Sequence, residues 1–276
     1  MKNFLVNKTL WGSTELARDD NQFIYKNLLA KLSGCVVLLS IWWILSLYNH
    51  PTLIPSPNLV FWALLDYVFD LNFWLDSLMP SLFHIILGFF SAAFIGVSFG
   101  VLAGNIPIVR HMFSPLRVLT TSMPAAVGVV LFITWLGLGS TMVIVMVAVF
   151  IAPIFYMALC DGFDTIDYDL NEMLQFYNVS LVNRLKHFIL PSLWGALSPA
   201  IRLAIANSAR LTILAEIFAA TSGLGERVDT ARTYLQTDKL FALLIVMVLI
   251  VVLFDKFASI LLARYDVSSK HKRQSF

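Results

Sequence analysis

From Val118 to Cys160 the chain reads VLTTSMPAAVGVVLFITWLGLGSTMVIVMVAVFIAPIFYMALC, and no charged residue lies between Arg117 and Asp161. The hydrocarbon core of a bilayer is about 30 Å thick, and a helix crosses it with about 20 mostly apolar residues. The stretch is long enough for two spans. Gly137, Gly139, Ser140 and Thr141 supply the turn between them. Pro124 and Pro153 fall inside these two spans, where a missing N–H kinks a helix.

Working outward, two further apolar runs precede this stretch, at about 32–48 and 81–103, and two follow it, at about 191–220 and 240–262. The reading is an all-α membrane protein of six spans, since helices satisfy their own backbone groups in lipid. Composition agrees. The 276 residues are 59% hydrophobic and 13% charged, with a mean hydropathy of +0.80. A soluble domain carries about 25% charged residues. The net charge of +2 gives no footing for nucleic acid. Cys35 and Cys160 sit in apolar surroundings and read as small hydrophobes. The polar leader before the first run is too long for the n-region of a signal peptide.

Lys and Arg concentrate on one set of loops: Lys2, Lys8, Arg18, Lys26 and Lys31 in the leader, Arg110 and Arg117, Arg184 and Lys186, and Arg264, Lys270, Lys272 and Arg273 in the tail. The positive-inside rule therefore puts both termini in the cytoplasm. The division is a leader over 1–31, a six-helix membrane body over 32–265 and a basic tail over 266–276. Residues 50–80 carry three Asp and no Lys or Arg, and belong outside. The aromatic stretch 59–75 within them reads as an interfacial helix.

Gly88, Ala92, Gly96, Gly100 and Gly104 recur every fourth residue in the second span and form a small-residue packing seam. The fifth span is the polar one, with Arg202, Arg210 and Glu216. Charges inside a membrane face the bundle interior, a partner or water. Arg202 and Glu216 are about 21 Å apart along the helix axis, and Arg210 and Glu216 about 120° apart around it, so neither is a pair within the helix. The span is expected to line a pathway, with a structural partner for each charge as the competing reading.

Between the fourth and fifth spans, at about 164–191, lies a polar segment. Asp164, Asp167 and Asp169 lead into it and suit a helix N-terminus better than a metal site. Leu170, Met173, Leu174, Tyr177 and Leu181 follow at the spacing of an amphipathic helix. Asn178 tolerates the left-handed conformation that ends a helix. Pro191 suits the first turn of the next one. Such a segment either lies on lipid or docks into a groove of a soluble partner.

This segment resembles the cytoplasmic motif of the permease subunits of bacterial ABC importers: E-A-A, three residues, G, nine residues, I-x-L-P. Glu172 matches the Glu, Leu190 and Pro191 match the last two positions, and the spacing is kept. Met173 and Leu174 replace the two Ala, Asn178 the Gly, and Phe188 the Ile. Residues 81–104, 123–139 and 202–225 are similar to the branch that serves nitrate, sulfonate, taurine and bicarbonate. The resemblance implies a coupling helix around Glu172, Met173, Leu174, Tyr177 and Asn178, with Leu190 and Pro191 beyond it. It implies two cytoplasmic ABC ATPase subunits docked there, an external substrate-binding protein, and a second permease copy. Transport would be alternating access across the cytoplasmic membrane of a bacterium. ATP and magnesium would belong to the ATPases. The chain has no G-x-x-x-x-G-K-[ST] loop, and no nucleophile–base or metal-ligand pattern marks it as an enzyme. The competing function is an ATP-independent secondary transporter or channel, a class in which internal repeats and several ionisable spans are common.

Overall fold

The computed structural model describes residues 29–30, 32–219 and 221–273. Most of the leader, with Lys2, Lys8, Arg18, Lys26 and Lys31, lies outside the described residues, as does the end of the tail.

The described residues form helices α1 (Leu32–Tyr48), α2 (Pro57–Phe69), α3 (Met79–Asn105), α4 (Pro107–Ser122), α5 (Ala125–Leu136) and α6 (Ser140–Asp164), followed by α7 (Tyr168–Phe176), α8 (Leu181–Arg184), α9 (Leu190–Ala219), α10 (Leu224–Thr233) and α11 (Thr237–Arg273). A π-helical turn, Phe73–Leu78, leads into α3, and another, Leu185–Ile189, leads into α9. The second precedes Pro191, which lacks the N–H that would bond the His187 carbonyl; a widened turn absorbs such a gap.

Among the described residues, four helical stretches are long and apolar enough to cross a membrane: Phe73–Asn105, Ser140–Asp164, Val182–Ala219 and Thr237–Ile260. Leu32–Tyr48, Pro57–Phe69 and Ala125–Leu136 are shorter apolar helices. Three differences from the sequence reading follow. Pro124 does not kink a continuous third span. It separates α4 from α5, because a residue before proline is driven out of the helical region, and Met123 is extended at φ −72°, ψ 127°. The 12 residues of α5 then reach only about 18 Å. Second, α11 runs on through the basic tail to Arg273, with no Gly or Pro to stop it. Third, α2 does not simply lie on a surface. It buries Val60, Ala63 and Tyr67 in the cluster that contains Leu243 and Ile250 of α11. Burial pushes the Tyr67 phenol up to about 12.

Helix α6 is the axis of the bundle. Val143, Met146, Val147, Ile151 and Phe155 are at most 2% exposed. The small-residue stripe of α3 lies against it. A Cβ on Gly88 would stand 2.6 Å from Val147, and one on Gly100 2.9 Å from Leu159. At Gly96 it would meet the Ala152 carbonyl, and at Gly104 the Phe163 ring. Ala92 is fully buried in the same seam. Close backbone approach maximises dispersion contact, which helix pairs rely on where lipid removes the hydrophobic drive.

These contacts run in step from Gly88–Val147 to Gly104–Phe163, so α3 and α6 are parallel. Helix α9 returns antiparallel: Leu193 packs on Gly162, and Glu216 reaches Ser81. The molecule therefore has two ends. One gathers α10, the start of α3 and the turn at Gly139, whose N–H donates to the Ala219 carbonyl at 2.7 Å. The other gathers α7, α8 and the Arg110–Asp164 pair.

Candidate functional site

Helix α7 is built locally at both ends. Asp167 Oδ1 accepts from the N–H groups of Asp169 at 3.0 Å and Leu170 at 3.1 Å, satisfying two donors that a helix start leaves free. At the other end Asn178 stands at φ +51°. The N–H of Val179 donates back to the Leu174 carbonyl at 3.1 Å, the six-to-one bond of a Schellman cap. Asn reaches this conformation because its short polar side chain offsets part of the steric cost.

Along α7 and α8 several apolar side chains are open to the surroundings. Met173, Tyr177, Phe176 and Val182 are 48%, 71%, 82% and 71% exposed. Glu172 is exposed beside them, and Leu174 is half-buried. Leu190 and Pro191, at the start of α9, are also exposed. Phe176 and Val182 were not singled out by periodicity, because they fall off the i, i+3, i+4 stripe; in the structure both are exposed.

The base of this surface is pinned by Arg110, whose two terminal nitrogens each donate to the Asp164 carboxylate at 2.7 Å. Those bonds raise the guanidinium further above its ordinary value. Asp164 and Asp167 are thus occupied in a salt bridge and a helix cap. Among the described residues no group of three His, Cys, Asp or Glu is placed to hold a metal ion.

The three charges of α9 separate. Arg202 and Arg210 are exposed, on the stripe that also carries Gly195 and Pro199. Neither meets a carboxylate among the described residues. Glu216 turns the other way and is 1% exposed. Its Oε2 accepts from Ser81 Oγ at 2.6 Å and from the Gly225 N–H at 3.1 Å. Its Oε1 lies 2.7 Å from His84 Nδ1. Ser81 Oγ in turn accepts from the Leu224 N–H at 2.8 Å. The first two N–H groups of α10 are thus capped by Ser81 and Glu216, with the carboxylate at the positive end of the helix. A Cβ on Gly223, at φ +112°, would stand 2.7 Å from Glu216 Oε2. The structure brings Glu216 into the interior of the subunit, not to the face that bears the arginines. Ser81 and His84 carried no sign of this in the sequence, since they lie 135 and 132 residues from their partner.

The described residues thus form a long parallel helix pair, a third helix antiparallel to it, and an exposed capped helix at one end. Residues 96–267 match the family described as binding-protein-dependent transport system inner membrane component. The chain belongs to that family, the permease subunits of ABC importers, and is a transport component rather than an enzyme. Among characterised relatives, it is 29% identical over 228 residues to the taurine transport system permease protein TauC of Escherichia coli (strain K12), over 79% of this chain and 82% of that one. It is 24% identical over 227 residues to SsuC of Bacillus subtilis (strain 168), named for aliphatic sulfonates transport, over 82% of each chain. The fold is shared with an inward-facing form of the MetNI methionine ABC transporter, at a TM-score of 0.57 and 18% identity, over 67% of this chain and 93% of that one.

Proposed function

We propose that this chain is the translocation subunit of an ATP-driven importer for a small sulfonate or a similar anion. Two copies, each with six spans and cytoplasmic termini, form the pathway between them. The observation that carries the reading is α7: a doubly capped helix that leaves Met173, Phe176 and Tyr177 open at one end of the bundle. Exposed aromatic and Met side chains on a rigid short helix are what a groove on a soluble subunit binds. Two cytoplasmic ATPases, which hold the ATP and magnesium, press on α7 and on the start of α9. An external binding protein delivers solute at the opposite end.

The face of α9 that carries Arg202 and Arg210 supports the pathway and the charge of the solute. An arginine in hydrocarbon costs about 2.5–3.5 kcal/mol on insertion scales, so two on one open face belong against water or a second copy. Their charge suits an anion, and the relatives are named for taurine and sulfonates. The test is purification of the assembled complex, reconstitution with its binding protein, and uptake of labelled taurine in competition with nitrate and bicarbonate. ATP-dependent uptake displaced by alkanesulfonates supports the reading. Uptake without any ATPase favours a secondary transporter.

A further inference from the structure

At the end of the molecule opposite α7, α10 stops in an unusual way. Its last turn closes with the Tyr234 N–H on the Thr230 carbonyl at 3.0 Å and the Gln236 N–H on the Ala231 carbonyl at 2.9 Å. The second is a Schellman six-to-one bond, and the left-handed residue inside it is Leu235, at φ +54°. That position favours Gly or Asn. A leucine there is strained, because its Cβ crowds the following carbonyl. Burial does not return that cost, since Leu235 is 70% exposed and its neighbour Tyr234 is 71% exposed. Backbone strain held at a surface without a packing return points to function.

The turn is also held firmly from behind. The start of α10 is capped by Ser81 and Glu216. Arg227 Nε donates to Ser77 Oγ at 2.9 Å, and Thr237 Oγ1 donates to the Pro51 carbonyl at 3.1 Å. The helix carrying the turn has Glu226, Arg227, Asp229 and Arg232 within ten residues, so it stands in water rather than in acyl chains. An exposed Tyr on a rigid polar mount has the make-up of an interface anchor, and the left-handed Leu235 beside it fixes how Tyr234 is presented.

We propose that Tyr234 and Leu235 are the contact through which this subunit receives its external binding protein. The family is defined by dependence on such a protein, and the pair lies at the end away from the ATPase-facing helix. The inference rests on the functional reading above. The far end of the same helix is bonded to α3 and α9 through Ser81 and Glu216, so the turn and those helices share one rigid element.

The test uses the full transporter, with its ATPases, in lipid nanodiscs. Hydrolysis is followed while the cognate binding protein, purified with its own solute, is titrated in. Leu235→Gly removes the side chain and relieves the backbone, so the melting temperature stays or rises. The expected result is that the half-stimulating concentration of binding protein rises about tenfold, the scale of losing one anchor residue. Basal hydrolysis stays unchanged. Tyr234→Ser is expected to act in the same direction. Stimulation by the variants equal to wild type overturns the inference alone, as does equal loss of basal and stimulated hydrolysis, which would make the turn merely structural or lipid-seated. A wild-type complex that the binding protein fails to stimulate overturns the functional reading and this inference with it.

Discussion

His84 Nδ1 and Glu216 Oε1 lie 2.7 Å apart inside the subunit, with side chains 2% and 0% exposed. They join the start of α3 to the end of α9, and through Ser81 and Gly225 they hold the start of α10. A polar cluster in a membrane protein is stable only when every donor finds an acceptor, because an unsatisfied buried group bears its whole desolvation penalty.

Glu216→Ala should therefore be among the costliest single changes in the chain. It strands the Ser81 hydroxyl, the His84 ring and the Gly225 N–H, at about 1–3 kcal/mol for each buried group. A large fall in melting temperature in detergent is expected, and a double-mutant cycle with His84→Ala should show strong coupling. Additive losses in that cycle would mean the two groups do not act together.

The α3–α6 seam should tolerate no added volume at Gly96. Even a single Cβ there meets the Ala152 carbonyl, and backbone cannot rotate aside. Gly96→Leu is expected to cost about 1–3 kcal/mol or more by overpacking. Yield of monodisperse protein after solubilisation checks it, with Gly34→Leu as control, since nothing lies within 4 Å of a Cβ at Gly34.

Asn178 stands at φ +51° inside the cap, closed by the Val179 N–H on the Leu174 carbonyl, and its side chain is exposed. Asn178→Gly should be neutral or mildly stabilising, while Asn178→Val should cost about 1–2 kcal/mol locally. The Val variant should expose the α7 amides to faster hydrogen exchange and retain less ATPase on purification. Glu172→Lys should separate the ATPase without disturbing exchange in α7. Equal ATPase recovery in all three would move the docking surface away from this helix.

Arg210→Ala should lower anion uptake while leaving assembly and basal hydrolysis intact, and Arg210→Lys should recover part of the rate by keeping the charge. Arg202→Ala, nearer the α7 end, should have the smaller effect because its head group can reach the interface. Uptake at the wild-type rate by well-expressed Arg210→Ala would show that the arginine face is not on the route of the solute.

Much of this architecture was legible without coordinates, for reasons that are local. A lipid solvent demands long apolar helices, so the uncharged stretch at 118–160 and the runs around it had to be helical. The caps of α7 were readable because Asp167 and Asn178 act on backbone groups only a few residues away. The break at Pro124 was harder. Proline disfavours the helix in any setting, but whether the outcome is a kink or two separate helices depends on what the neighbouring helices offer in exchange.

The sequence by itself determined the class of the protein, the order of its apolar helices, the small-residue stripe and the capped polar segment between α6 and α9. Only the tertiary structure decided the fate of the charges on α9. Arg202, Arg210 and Glu216 share one helix and one composition, yet two face outward and one is locked against Ser81 and His84. Helical period gives relative azimuth but no absolute one. Which side of a helix is interior is set by packing against α3 and α6, more than a hundred residues and some fifty residues away in the chain. The left-handed Leu235 belongs to the same group: no residue preference signals it, and it shows only where α10 closes with the Gln236 N–H on the Ala231 carbonyl.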